Sequence, residues 1–405
     1  MVANTIGAGV YTTSGFTLKD LGSREAVLVV WLAASVLALA GAFSFGALAR
    51  AIPKSGGEYL YLSRLIHPGA GFIAGWVSLI AAFAGAEAYA AITMMEYLHL
   101  DPHIEMTIAV GLLVVLAALH GVLVRAGTVL QNLTVVAKAL FILVFVVLAA
   151  TLIETPTDSP EAVERSLWLW PVNLMWVSLS FTGFNSAIYV AEEASDPRRD
   201  VPRALLIGTV VTAVLYLLIN AAMLYAAPIS ELAGASDIAL VSAQALGGPG
   251  LRRAVQALVL LSLFTLLSGM AVAGPRVAVK MGEDGFLPPL TLRSAAMVQC
   301  GLAVIMTVWS DLVNQLTYLS LTLSLTSALT IAAVFRLDKQ DRPHPFLPLL
   351  YIIGTLLCAV ASLKTLPKAG LAALATLGSG ATVYVLFFSR KARTREHLPP
   401  GEPLS

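Results

Sequence analysis

The sequence predicts an all-α integral membrane protein of about 12 transmembrane helices, and three observations carry that reading. Hydrophobic residues make up 58% of the 405-residue chain and charged residues only 12%, with a mean hydropathy of +0.83. A soluble domain carries about 25% charged residues. The apolar residues fall into runs long enough to cross a bilayer, and two of these runs are interrupted by glycine in polar company: Asn4-Thr5-Ile6-Gly7-Ala8-Gly9-Val10 and Phe181-Thr182-Gly183-Phe184-Asn185-Ser186. A dozen spans of ~20 residues use ~240 residues, which leaves short loops and no second soluble domain. The net charge of +1 gives no reason to expect a nucleic-acid partner.

Taken in order, the spans are read at Met1–Phe16, Ala26–Ala51, Gly69–Leu98, Ile104–Val124, Thr128–Ile153 and Leu169–Ala191. The remaining six are Arg203–Ala227, Leu251–Met281, Ala295–Trp309, Leu312–Phe335, Phe346–Leu363 and Ala369–Phe388. The first is short and holds the first glycine interruption. The ninth is short as well, and Ser310-Asp311 after it allows only a tight turn. No basic region precedes an apolar stretch in the first twenty residues, so no signal peptide is expected. Cys300 and Cys358 lie inside apolar runs and read as small buried hydrophobes.

Lys and Arg in the loops set the orientation. With a cytoplasmic N-terminus, the inside loops and the tail hold more than twice as many of them as the outside loops. Both termini are therefore expected in the cytoplasm, with the chain crossing the cell membrane many times. Spans one to five (1–153) and six to ten (154–336) form two units of five. An odd number of spans gives the units opposite orientation, the condition for an inverted repeat. Spans eleven and twelve (337–389) lie outside it, and 390–405 form a basic, then Pro-rich tail that reads as disordered.

Glycine beside Thr, Asn and Ser is ill suited to a lipid-facing helix centre. Two such interruptions, one at the head of each repeat, point to a transporter whose substrate lies where both helices break. A broken helix exposes N–H groups on one side and carbonyls on the other, with about half a unit of opposite charge at the two ends. A zwitterion fits: its carboxylate on amides near Ala8, Gly9 and Val10, its ammonium on carbonyls near Ser180, Phe181 and Thr182. The competing reading makes Gly7 and Gly9 helix-packing glycines.

Lys138 lies some ten residues into the fifth span, about 15 Å along a helix. A charge at that depth costs about 2.5–3.5 kcal/mol on insertion scales, which marks a functional candidate. It either exchanges protons or acts as a tethered cation; a lysine bonded to backbone carbonyls is the bland alternative. Glu87, also intramembrane, could pair with Lys138, meet a cationic substrate, join proton movement, or bond across helices as a protonated acid. Asn185 adjoins the second break and is favoured for the pocket over Asn4 and Asn132. Gly269 and Gly274-Pro275 give the eighth span a kink or a close approach. No His, Cys and carboxylate cluster has metal or nucleophile spacing, so no enzyme, metal, cofactor or catalytic residue is expected.

Thr5-Ile-Gly-Ala-Gly-Val10, Ile52-Pro-Lys-Ser-Gly-Gly-Glu-Tyr59, Gly183-Phe-Asn185, Val190-Ala-Glu-Glu-Ala-Ser-Asp-Pro197 and Val201-Pro-Arg203 resemble the amino acid–polyamine–organocation (APC) superfamily of amino-acid permeases. The chain looks closest to the basic amino-acid/polyamine antiporter and L-type transporter branches. The resemblance implies a LeuT-type fold with a five-plus-five inverted repeat, its first helix shortened here because only six residues precede Gly7. It implies substrate binding by Ile6, Gly7, Ala8 and Gly9 and by Ser180, Phe181, Gly183 and Asn185. It places Lys138 where a sodium ion sits in other members, and Leu179 at the usual aromatic gate, with Phe181 or Phe184 able to serve instead. The His99–His103 loop lacks the cysteine through which light subunits join a heavy chain, so no disulfide-linked heavy subunit is expected.

The expected function is secondary active transport of L-amino acids, sodium-independent, as a proton symporter or an exchanger. A neutral substrate comes first because the presumed pocket carries little charge. The alternatives are a cationic amino-acid/polyamine antiporter and a non-transporting amino-acid sensor with the same fold.

Overall fold

The structure, a computed structural model, describes residues 7, 9–120, 140, 142–152, 166–283 and 285–388. Every regular element among them is helical. In chain order these are α1 (Gly9–Leu21), α2 (Arg24–Ala51), the short α3 (Gly57–Leu65), α4 (Pro68–Leu98), α5 (Pro102–His120) and α6 (Ile142–Leu152). The second half holds α7 (Leu169–Ser180), α8 (Pro197–Tyr225), α9 (Ile238–Glu283), α10 (Leu292–Trp309) and α11 (Leu312–Ala332). Last come α12 (Phe346–Thr365) and α13 (Pro367–Val383). Nine helices among the described residues are long and apolar enough to cross a membrane.

Helix ends follow local chemistry. Ser23 caps α2, its Oγ accepting from the Ala26 N–H at 3.0 Å. Thr291 and Asp311 do the same for α10 and α11. The first helix runs to Leu21 rather than Phe16, because Leu18 and Leu21 still have a core to enter; Gly22, at φ 69°, then ends it. Within α4 the segment Ser78–Gly85 is a π turn that the sequence did not signal. The helix holding the eighth span extends back to Ile238 through a kink at Gly247 and Gly248. Gly274 supplies the expected close approach: a Cβ there would lie 1.9 Å from Gln299 Oε1.

Four helices of the first half pack on their counterparts in the second: α1 on α7, α2 on α8, α4 on α9 and α5 on α10. Burial grades outward. About 67% of the apolar window of α11 and 56% of that of α2 are buried, against 17% for α5 and α13. α5 and α13 thus present mostly apolar surface outward, as helices facing lipid do.

The apolar interior of the described residues holds two large clusters and a small one around Phe72, Met281 and Tyr384. The larger cluster includes Val10, Trp31, Phe181, Tyr216 and Leu316. A second gathers at one end, with Phe45, Tyr61, Phe184, Ile188, Leu205 and Ile331. Arg24 is buried at the opposite end, donating from Nε to the Leu224 carbonyl at 2.6 Å and from an Nη to that of Ala227 at 2.9 Å. It thereby closes the C-terminus of α8, where a cation is favoured.

Candidate substrate site

Both interruptions leave their mark on the backbone. α7 stops at Ser180, a five-residue turn follows, and a 3-10 segment resumes at Ser186–Glu193. Within the turn the bonds shorten to i→i+3, with Thr182 N–H donating to Leu179 O at 2.9 Å and Phe184 N–H to Phe181 O at 3.0 Å. Gly183 sits at φ 101°, a conformation that L side chains rarely adopt. On the other side of the break α1 begins at Gly9, after a half-buried bend at Gly7.

The two ends meet. A Cβ on Gly9 would lie 2.4 Å from Ser180 Oγ and 3.2 Å from Ser180 Cα, so the N-terminus of α1 rests on the last residue of α7. The amide-rich end of one helix thus faces the carbonyl-rich end of the other. Gly9 is a close-packing glycine as well as a helix start, so the two readings of this residue coincide. The Ser180 carbonyl accepts from Tyr216 Oη at 2.9 Å. Behind it Tyr216 meets Phe181 and Trp31 edge to face, with Phe181 and Tyr216 centroids 5.1 Å apart, and Phe181 and Trp31 are tilted against each other. Among the described residues the buried hydroxyl of Ser180 has no hydrogen-bond partner, and those of Tyr11 and Ser262 face each other. An unpartnered buried hydroxyl beside opposed helix ends suits a small polar guest.

α1 is held by polar contacts along its length. Thr12 and Tyr89 hydroxyls are 3.0 Å apart, Tyr97 Oη donates to Tyr11 O at 2.8 Å, and Ser14 bonds Asn220 while receiving Trp31 Nε1–H at 2.8 Å.

A cavity of about 90 Å³ opens on the other side of the α7 break. Phe181, Thr182, Gly183, Phe184 and Asn185 form one wall; Ser324 and Ser327 of α11 and Tyr351, Thr355 and Cys358 of α12 form others. Glu58, from α3, points into it. Its Oε1 accepts from Ser327 Oγ at 2.6 Å and from Asn185 Nδ2 at 3.2 Å. α3 lies between the membrane spans, and burial there pushes the Glu58 pKa up to about 7, against the pull of the Ser327 hydroxyl.

The structure thus gathers Phe181, Gly183, Phe184 and Asn185 on one cavity and sets Gly9 against Ser180. Leu179 packs against the larger apolar cluster and does not line that cavity. Glu87 accepts from Gln299 Nε2 at 2.8 Å, and Gln299 also donates to Met270 O at 3.1 Å, so the acid joins α4 to α10 and α9. Ile6, Ala8, Lys138, Asn4 and Asn132 lie outside the described residues. Cys358 is buried and Cys300 half-buried, both as free thiols.

The sequence reading missed Glu58 and the α12 wall. Two glycines at positive φ, Gly56 and Gly57, turn the chain so that the next residue is carried inward, and that pair was the available signal.

The amino acid permease family profile matches residues 1–396. The large neutral amino acids transporter small subunit 2 of Rattus norvegicus is 25% identical over 420 residues, covering 95% of this chain and 78% of that protein. The cystine/glutamate transporter of Homo sapiens is 26% identical, covering 96% and 83%. The b(0,+)-type amino acid transporter 1 of Mus musculus is 24% identical, covering 91% and 81%. With opposed helix ends at its centre and a family match over nearly its whole length, this chain belongs to the amino acid permease family.

Proposed function

We propose that the protein carries L-amino acids across the cell membrane without sodium, by alternating access, as an exchanger or with protons. The observation that carries this reading is the seating of the α1 N-terminus on the α7 C-terminus at Gly9 and Ser180. Opposed main-chain dipoles hold a carboxylate and an ammonium without charged side chains, and that favours a neutral substrate. Ile6, Gly7, Ala8 and Gly9 bind the substrate together with Ser180, Phe181, Gly183 and Asn185, its carboxylate taken by the amides near Ala8, Gly9 and Val10. Phe184, already at the cavity wall, serves as the gate where Leu179 does not reach.

Lys138 acts as a tethered cation in the role of sodium. Glu87 contributes to coupling through its tie to Gln299, which transmits movement between α4 and α10. The five-plus-five division, with helix pairs α1–α7, α2–α8, α4–α9 and α5–α10 in contact, suits rocking of one unit against the other. The loop charges favour cytoplasmic termini. The cysteine-free His99–His103 loop favours a protein that works without a disulfide-linked heavy subunit.

Uptake of labelled leucine and of labelled arginine into proteoliposomes, with sodium and with choline, tests this. Leucine uptake of equal rate in both media is expected, with arginine slower. Strict sodium dependence would overturn the role of Lys138. Binding without counterflow would point to a sensor.

A further inference from the structure

Glu58 sits where a carboxylate needs a reason. It is 7% exposed, in a cavity shared with the α7 break. Among the described residues no ion pair forms to it. The cations of neighbouring segments, Arg50, Lys54, Arg64 and Arg336, are exposed. Among the described residues the groups that do face it are uncharged. Tyr189, on the 3-10 segment, and Tyr351, on α12, line the cavity with it. From α11 come the hydroxyls of Ser324 and Ser327, and α2 contributes only apolar side chains. Isolated buried charge is costly, so such an acid either holds a proton or loses its burial.

Its position makes that choice mechanical. Asn185 Nδ2 and Ser327 Oγ both donate to one carboxylate oxygen, so Glu58 fastens α3 to the segment beyond the α7 break and to α11. Hydrogen bonds to a carboxylate are about twice as strong as those to a neutral acid. A proton therefore slackens the hold on Asn185 while removing the desolvation cost of the charge.

We propose that the Glu58 carboxyl takes up and releases a proton in each transport cycle, and that its proton state sets the grip of α3 on the segment beyond the break. The step adds one O–H bond to a carboxylate oxygen as a hydronium on the open side becomes water, and reverses when the cavity opens to the other side. This deepens the transport reading and rests on it. The sign follows from burial. The conformation that encloses Glu58, with its pKa pushed up to about 7, binds the proton more tightly than one that returns it to the ordinary glutamate value of 4.5. The enclosed form therefore gains as pH falls from about 7 toward 4.5 and loses as pH rises through 7.

Counterflow in proteoliposomes, with no proton gradient, reads transport alone; leucine accumulation under an inward proton gradient reads coupling. In wild type the gradient should drive accumulation that an uncoupler collapses. In Glu58→Gln, which keeps an acceptor for Ser327 and Asn185, counterflow should stay measurable and proton-driven accumulation should be lost. Ser327→Ala should raise the pH midpoint of uptake by about one unit, because a donor to the charged form is gone. Difference infrared spectra should show a protonated-carboxyl stretch growing as pH falls through about 7, absent from Glu58→Gln. Wild-type counterflow without gradient-driven accumulation overturns the proposal and leaves the transport reading standing. Unchanged coupling in Glu58→Gln overturns it too, as does an unshifted midpoint in Ser327→Ala. Absence of wild-type counterflow overturns both.

Discussion

Gly9 and Ser180 share the tightest point of the proposed substrate seat. A methyl on Gly9 would meet Ser180 Oγ at 2.4 Å, which a side chain can relieve, and Ser180 Cα at 3.2 Å, which it cannot. Gly9→Ala is therefore expected to reduce uptake and lower the thermal midpoint, and Ser180→Gly added to it should restore part of both. The pair should depart from additivity by about 1 kcal/mol; simple additivity would mean that the two residues do not touch. At this scale the sequence was informative wherever a residue looked misplaced. Gly183, with Thr182 and Asn185 beside it, declared a break because hydrocarbon offers those groups nothing. Glu58 declared little, since an acid four residues after Lys54 reads as loop charge. Its burial comes from Ser327, some 270 residues later in the chain, and no local pattern encodes that.

The tie between α4, α9 and α10 belongs to the scale of elements. Glu87 is 4% exposed and takes its hydrogen bond from Gln299, which needs the bare backbone of Gly274 beside it. Gln299→Leu should destabilise the protein by about 1–3 kcal/mol, because it strands a buried acid. Thermal unfolding in detergent would check this, and an unchanged midpoint would show that the bond contributes nothing. Helix existence was largely legible, since long apolar runs have few other solutions. Two features were not. The π turn Ser78–Gly85 answers a packing demand, its Gly85 carbonyl accepting from Gln315 Nε2 at 3.0 Å on distant α11. The α12 wall of the cavity looked like ordinary span, because Tyr351, Thr355 and Cys358 fit lipid-embedded helices as readily as a lining.

At the scale of the whole molecule, the loop charges make a geometric prediction. In a Cys300→Ser background, a cysteine at Asp101, between α4 and α5, should react with an impermeant maleimide on intact cells. One at Asp341, between α11 and α12, should react only after permeabilisation. The reverse pattern would invert the assigned orientation and exchange the inner and outer ends of the site. The two larger apolar clusters carry the last consequence. Phe181 belongs to the larger and Phe184 to the smaller, so the seam between them falls at Gly183. Because α2, α11 and α12 run unbroken through both clusters, α7 is where the chain can bend at that seam, so motion of the substrate seat is expected to be local to the break while the helices around it keep their packing.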